Sequence, residues 1–348
     1  MKSLLIIVTL VSCLTVSLQA QAQNLTQTDS IHIFSDSLFQ ALKAKYLKKA
    51  AVSNWDEIQV RFEEEASTYP NFAEALQASR NVFDSIGCSH CMLFFGEQHY
   101  PASQRPLLYE DYSEQFVRKY QSGTPFSVSL LDNQYGYILL PGMLFLDLPK
   151  DSLNLKAQKM YDQIIELDKE HELKGWIIDL RFNIGGDAYL MLAALYHFLG
   201  DKIVYKELDV ERETVALNQL KDGKFYSGED LKMELSTFGQ SDLRTPVALI
   251  TGNWTASAGE CVLLGFTGRE NVIRIGEPSY GFTTGNGLFE LPFQVKAPLT
   301  TCYMADMNGN YSENFQPNIF IKQKDNFDDL MKDQNIMEAI KFIESKVE

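Results

Sequence analysis

Trp176-Ile-Ile-Asp-Leu-Arg-Phe-Asn-Ile-Gly-Gly186 is the stretch on which the fold turns. It opens as a largely apolar run of strand length and ends in paired glycines, after which Tyr189 to Leu199 reads as a helix. The same succession returns downstream. Pro246 to Thr251 reads as a buried strand, Ala256 to Phe266 as a helix and Val272 to Ile275 as another strand. Strands alternating with helices favour largely parallel pairing, so an α/β core is expected.

Working outward, Phe126 to Leu131 and Tyr135 to Leu140 form an expected hairpin turning at Asp132-Asn133. Between that hairpin and the opening stretch, Leu153 to His171 carries Met160, Tyr161, Ile164 and Ile165 at helical spacing. Met92 to Phe95 reads as a strand, and the polar, Pro-containing stretch Gln98 to Thr124 as a connector. From Ile31 to Ser85 the pattern is helical, with Leu38, Leu42 and Tyr46 one turn apart and Pro70 marking a turn. The C-terminal part finishes with strands near Leu288 to Val295 and Thr300 to Met304, then an amphipathic helix from Ile336 to Val347. Three regions are expected: residues 1–22, an N-terminal helical region 23–86, and a core 87–348.

Lys2, an apolar run from Leu4 to Leu18 and small-residue sites at Gln19-Ala20-Gln21-Ala22 read as a secretory signal peptide. The run falls short of the roughly 20 apolar residues that span a membrane, so a secreted or periplasmic protein without a membrane span is expected. A rival reading takes Leu10-Val11-Ser12-Cys13 as a lipid-attachment site, although Leu14, Thr15 and Val16 continue the apolar run. The net charge is −15 with no block of Lys or Arg, which argues against nucleic acid and anionic membrane surfaces as partners. Cys88, Cys91, Cys261 and Cys302 lie beyond the signal segment and permit two disulfides in three connectivities. Cys88-Ser-His-Cys91 also has the spacing of a redox pair or half a zinc site, but no second ligand pair follows. No metal or organic cofactor is expected.

The chemistry centres on Val247-Ala-Leu-Ile-Thr-Gly-Asn-Trp-Thr-Ala-Ser-Ala-Gly-Glu260, where small residues surround Ser257 at the expected start of a helix. There a hydroxyl is accessible, backbone N–H groups are unpaired, and the helix dipole favours developing negative charge. The plain alternative is a helix cap. Gly185 and Gly186 let the backbone approach a ligand and turn an N–H toward it, which makes them candidate oxyanion donors. Asp179, Arg181 and Asn183 read as struts for that turn.

Asp179-Leu-Arg-Phe-Asn-Ile-Gly-Gly followed by Thr255-Ala-Ser-Ala-Gly-Glu resembles the tail-specific, or C-terminal-processing, serine peptidases. The likeness runs at motif level from about Gly87 to Ile319 and leaves the N-terminal helices unaccounted for. It implies a crotonase/ClpP-like core of ββα units. Bacterial processing enzymes of this kind use a Ser–Lys dyad, but Phe282 stands where that lysine belongs. The branch similar to the tricorn protease core uses histidine as base, a serine beside it and a late glutamate. Ser89-His90 matches the first pair, and Glu313-Asn-Phe-Gln-Pro317 resembles the late segment, departing from it at Gln316 and in lacking Gly-Val.

The residues support that assignment independently. A serine hydroxyl needs a base near working pH, which imidazole supplies. His90 is the expected base, oriented by Ser89, Glu313 or both. The N–H of Ala258 is expected to complete the oxyanion hole with Gly185 or Gly186. Roughly 45 residues separate His90 from Tyr135, too few for an inserted PDZ domain of about 80 to 100. The expected activity is hydrolysis of a peptide or unfolded protein through an acyl-enzyme, with the oligomeric state left open. The competing reading is a non-catalytic peptide- or apolar-ligand-binding protein on the same fold. An acyl-CoA enzyme fits poorly with export and with the serine motif.

Overall fold

The computed structural model describes residues 25–104 and 111–347. The signal segment and Cys13 lie outside them. The chain forms two compact units, one drawn from residues up to 105 with 286–301, the other from 106–285 with 302–348.

In the first unit, helix α1 (Gln27–Lys45) begins with a capping box: Asp29 N–H donates to Thr26 Oγ1 while Thr26 N–H donates to the Asp29 carboxylate. Its buried face carries Ile31, Phe34, Leu38 and Leu42 at helical spacing. That face packs with α2 (Trp55–Ala66), α3 (Phe72–Ala75) and α4 (Ser79–Ser85) in a core completed by Leu291, Val295 and Leu299. A hairpin of β1 (Met92–Phe95) and β2 (Gln98–Pro101) follows, with Phe94 opposite Lys296 on its other side.

The second unit opens with α5 (Glu114–Gln121), capped by Ser113 Oγ, which accepts from Phe116 N–H at 3.1 Å. The expected connector thus holds a strand and a helix. Next come β3 (Ser127–Leu131), β4 (Tyr135–Leu139), α6 (Lys150–Glu170), β5 (Gly175–Asp179), α7 (Ala188–Ala194) and α8 (Tyr196–Leu199). The helix expected from Tyr189 to Leu199 breaks at Leu195, whose ψ is 11°. A four-stranded meander follows: β6 (Lys202–Leu208), β7 (Thr214–Lys221), β8 (Lys224–Ser227) and β9 (Asp230–Glu234). The remaining elements are β10 (Val247–Thr251), α9 (Ala258–Phe266), β11 (Val272–Gly276), β12 (Thr284–Leu291), β13 (Val295–Ala305), β14 (Ile319–Phe320) and α10 (Gln334–Val347). Residues 303–305 of β13 pair with β6.

The site is carried by a six-stranded sheet in the order β14-β11-β10-β5-β4-β3. All its pairings are parallel except the β3–β4 hairpin, where Asp132 and Asn133 both take the positive φ that a two-residue turn needs. Trp176, Ile178, Val247 and Leu249 enter the core under α6, α7 and α9, whereas Ile177, Ala248 and Ile250 enter the core under α5 and α10. Period-two alternation therefore sends the apolar side chains of β5 and β10 into one core or the other. The architecture is the expected α/β class with helices in the N-terminal region. Among the described residues no helix is long and apolar enough to cross a membrane.

Candidate active site

Strands β5 and β10 lie side by side, so their C-terminal turns meet. Thr255 Oγ1 donates to Leu180 O at 2.8 Å, and Ala256 N–H donates to Asn183 O at 2.9 Å. Asn183 is itself pinned, its Nδ2 donating to Leu140 O at 3.1 Å and its Oδ1 accepting from Gly185 N–H at 3.1 Å. A side chain on Gly259 would put its Cβ 2.9 Å from Asn183 O, so α9 starts as close to this turn as backbone allows.

Ser257 is the residue before α9, with φ 53° and ψ −113°. A residue other than glycine held there is strained, as at strand-to-helix elbows that present a nucleophile. Gly185, at φ +110°, faces it so closely that a Cβ would stand 2.8 Å from Ser257 Cβ and 3.2 Å from its Oγ. Gly186, at φ +120°, leaves no room for a Cβ against Met143 O. With Gly185 N–H taken by Asn183, the N–H groups of Gly186 and Ala258 have no acceptor among the described residues.

Glu260, one turn into α9, is fully buried, with no cation beside it among the described residues. Its Oε2 accepts from Ser257 N–H at 2.8 Å, and its Oε1 accepts from Ser279 Oγ at 2.6 Å and Gly281 N–H at 2.9 Å. Burial pushes its carboxyl up to about 7, against the pull of these donors and of Phe282 N–H. Ser279 Oγ also accepts from Phe315 N–H at 2.8 Å, which brings the loop carrying Glu313 to the same carboxylate.

On the other side of the turn, Arg181 is buried against three carboxylates. Its Nε and Nη2 grip Asp179, and Nη1 donates to Asp325 at 2.6 Å and Asp333 at 2.7 Å. Tyr137 adds a hydroxyl to Asp179 at 2.9 Å, and the Phe327 ring lies 4.3 Å from the guanidinium. Burial works against the Arg181 charge, but the carboxylates outweigh it and hold its pKa well above the ordinary value. Burial also works against the Asp333 carboxylate, and Arg181 overcomes it, so the group titrates below its usual range. Asp333 Oδ1 accepts from Asn335 N–H as well, at the start of α10.

The structure therefore gathers Ser257, Ala258, Gly185 and Gly186 at the ends of two adjacent strands. Glu313 is exposed, and its carbonyl accepts from Thr283 Oγ1 at 3.3 Å. Ser89 and His90 belong to the first unit, on the turn between α4 and β1; His90 is buried and Ser89 exposed. A disulfide joins Cys88 to Cys91 on either side of them, which removes both as zinc ligands. Cys261 and Cys302 are buried and not joined in a disulfide, so one disulfide forms among the described residues where the count permitted two. Sequence reading missed Glu260, Ser279, Asp325 and Asp333. The pattern Ser257-x-x-Glu260 is a capping-box signature that marks the first of them. Among the described residues, His32, Asp36 and Glu63 have ligand atoms near enough to share a metal ion, but on an outer helical face.

Comparison with known proteins agrees with this geometry. The sequence profile of peptidase family S41 matches residues 134–321. A nisin-resistance protein of Lactococcus lactis subsp. lactis is 25% identical over 262 residues, covering 75% of this chain and 74% of that one. A lipoprotein from Streptococcus agalactiae superposes with a TM-score of 0.65 at 20% identity, covering 93% of this chain and 98% of its own. The photosystem II D1 C-terminal processing protease superposes with a TM-score of 0.54 at 13% identity, covering 90% and 97%. At such identities the last two speak for the fold alone.

Proposed function

The chain belongs to peptidase family S41 and is a serine peptidase, and from that premise we propose that it cleaves peptide bonds through an acyl-enzyme on Ser257, with His90 as base. In this reading His90 takes the hydroxyl proton as Oγ attacks the scissile carbonyl, then returns it to the departing amine. Ser89 and Glu313 orient the imidazole. Gly186 and Ala258 supply the N–H donors for the oxyanion, since the N–H of Gly185 is already committed to Asn183. Gly185 contributes by lacking a side chain, which leaves the nucleophile accessible.

The observation that carries this reading is the strained backbone of Ser257 at the head of α9, against a glycine that leaves its hydroxyl uncovered. A helix cap needs no such conformation, because caps are ordinarily extended. The likeness to a nisin-resistance protein favours a peptide substrate met outside the cytoplasm. In this reading the peptidase core is assigned to 87–348 and the N-terminal helical region to 23–86, although residues 92–101 and 286–301 fall in one compact unit with those helices.

A fluorophosphonate probe tests the chemistry. It should label the wild-type protein and not Ser257→Ala, at a rate that rises with pH through one ionisation absent from His90→Ala. A wild-type protein that the probe leaves unlabelled is a binding protein, and equal peptide hydrolysis by Ser257→Ala ends the proposal.

A further inference from the structure

The Ser89–His90 turn is held by a polar network that lies wholly within the first unit. Asn286 Nδ2 donates to His90 O at 2.8 Å, and Thr300 Oγ1 donates to Asn286 Oδ1 at 3.0 Å. Thr300 Oγ1 stands 3.4 Å from Cys88 Sγ and 3.8 Å from Cys91 Sγ, and Thr300 N–H points at Cys91 Sγ from 3.5 Å. Both cysteines are buried, and the ends of the turn are fixed by Cys88 N–H to Phe83 O at 2.8 Å and Ala102 N–H to Cys91 O at 3.1 Å.

A bridge that closes so short a loop removes little entropy from the unfolded chain. What it restricts is the geometry of the two residues inside it. These are the serine and histidine to which the proposed function gives the base.

We infer that the Cys88–Cys91 disulfide, Thr300 and Asn286 are positioning residues for His90, and that opening the disulfide turns the peptidase down. This rests on His90 being the base. Reduction by a small dithiol breaks the S–S bond. Two electrons pass from the dithiol, which closes to its own disulfide, and the two protein sulfurs take up two protons as thiols. The turn then loses its covalent closure and keeps only its hydrogen bonds, that from Asn286 to His90 O among them. An exported copy, in an oxidising compartment, keeps the bridge, whereas a copy held in a reducing one works slowly.

The experiment begins with His90→Ala in the full chain. If that variant still reacts with the fluorophosphonate at the wild-type rate, the base assignment has failed and the positioning role falls with it. With His90→Ala inactive, the wild-type protein is compared before and after dithiothreitol treatment, with thiol counting to establish that Cys88 and Cys91 are reduced. Labelling of Ser257 is expected to slow by about tenfold or more, to shift along the pH axis, and to recover on reoxidation. Thr300→Val should repeat the slowing and the shift in oxidised protein, and Thr300→Ser should restore both. Unchanged rates and pH profiles in the reduced protein and in Thr300→Val overturn the inference while leaving His90 as base. A loss that Thr300→Ser does not rescue, or that comes without a pH shift, overturns it as well.

Discussion

Two buried acidic clusters flank the serine turn, and they solve the same problem in opposite ways. Around Arg181 the carboxylates of Asp179, Asp325 and Asp333 share one guanidinium. Around Glu260, among the described residues, there is no cation, only hydroxyl and N–H donors. Pairing holds Asp333 below the ordinary carboxylate range, whereas burial lifts Glu260 to about 7. The first arrangement suits a strut that must stay charged. The second leaves a group that changes charge near neutrality while bonded to the N–H of Ser257.

Removing the cation should break the contrast most severely. Arg181→Ala leaves Asp179 and Asp333 buried without a counter-charge and should cost about 3–5 kcal/mol in urea unfolding. A loss below 1 kcal/mol would show that the pairs contribute little. Arg181→Lys keeps the charge but not the planar fork, and should fall between.

Titration sharpens the contrast because the two clusters respond in opposite senses. Glu260 binds its proton more tightly in the folded protein, so its contribution is fully present below the unfolded value near 4.5 and lost as pH rises through about 7. Relative to Glu260→Gln, wild-type stability should therefore decline by about 3 kcal/mol between pH 4 and pH 8. Asp333, held low, contributes stability that is present above its unfolded pKa and lost as pH falls through the folded one. Its difference from Asp333→Asn should shrink only in acid. Parallel pH trends for the two pairs would erase the distinction.

Smaller effects are expected at Ser257 and at the neutral donors of the two clusters. Gly185→Ala forces a Cβ against Ser257 at a backbone angle alanine resists, and should cost about 1–2 kcal/mol and most of the labelling rate. Ser257→Gly relieves the strained elbow and should be more stable than Ser257→Ala by about 1 kcal/mol in thermal unfolding. Tyr137→Phe removes one neutral donor from Asp179, which keeps its guanidinium, and should cost about 1 kcal/mol.

Much of the sheet was legible because β5 and β10 bury both faces and so read as unbroken apolar runs. The hairpin was legible from Asp132-Asn133. The meander Lys202–Glu234 was not assigned, because its strands mix Lys and Glu with apolar residues and face water on one side. Asp222-Gly223, both at positive φ, was the turn signal that could have revealed it. At the site, Ser257, Gly185 and Gly186 stood out because glycines and a serine ended apolar strands. Glu260 did not, since an acid in the first turn of a helix reads as solvated. Asp325 and Asp333 did not, because nothing local marks a carboxylate whose partner is 144 or 152 positions away.

That long reach gives the molecule an order of assembly. Synthesis yields Arg181 well before Asp333, and until the later residue is made the guanidinium lacks part of its anchorage. The glycine turn gains its last charged support when the start of α10 arrives, whereas its contacts through Asn183 and Thr255 need only residues made earlier. A copy truncated before Asp333 would keep Ser257 and its glycine neighbours and lose that charged support.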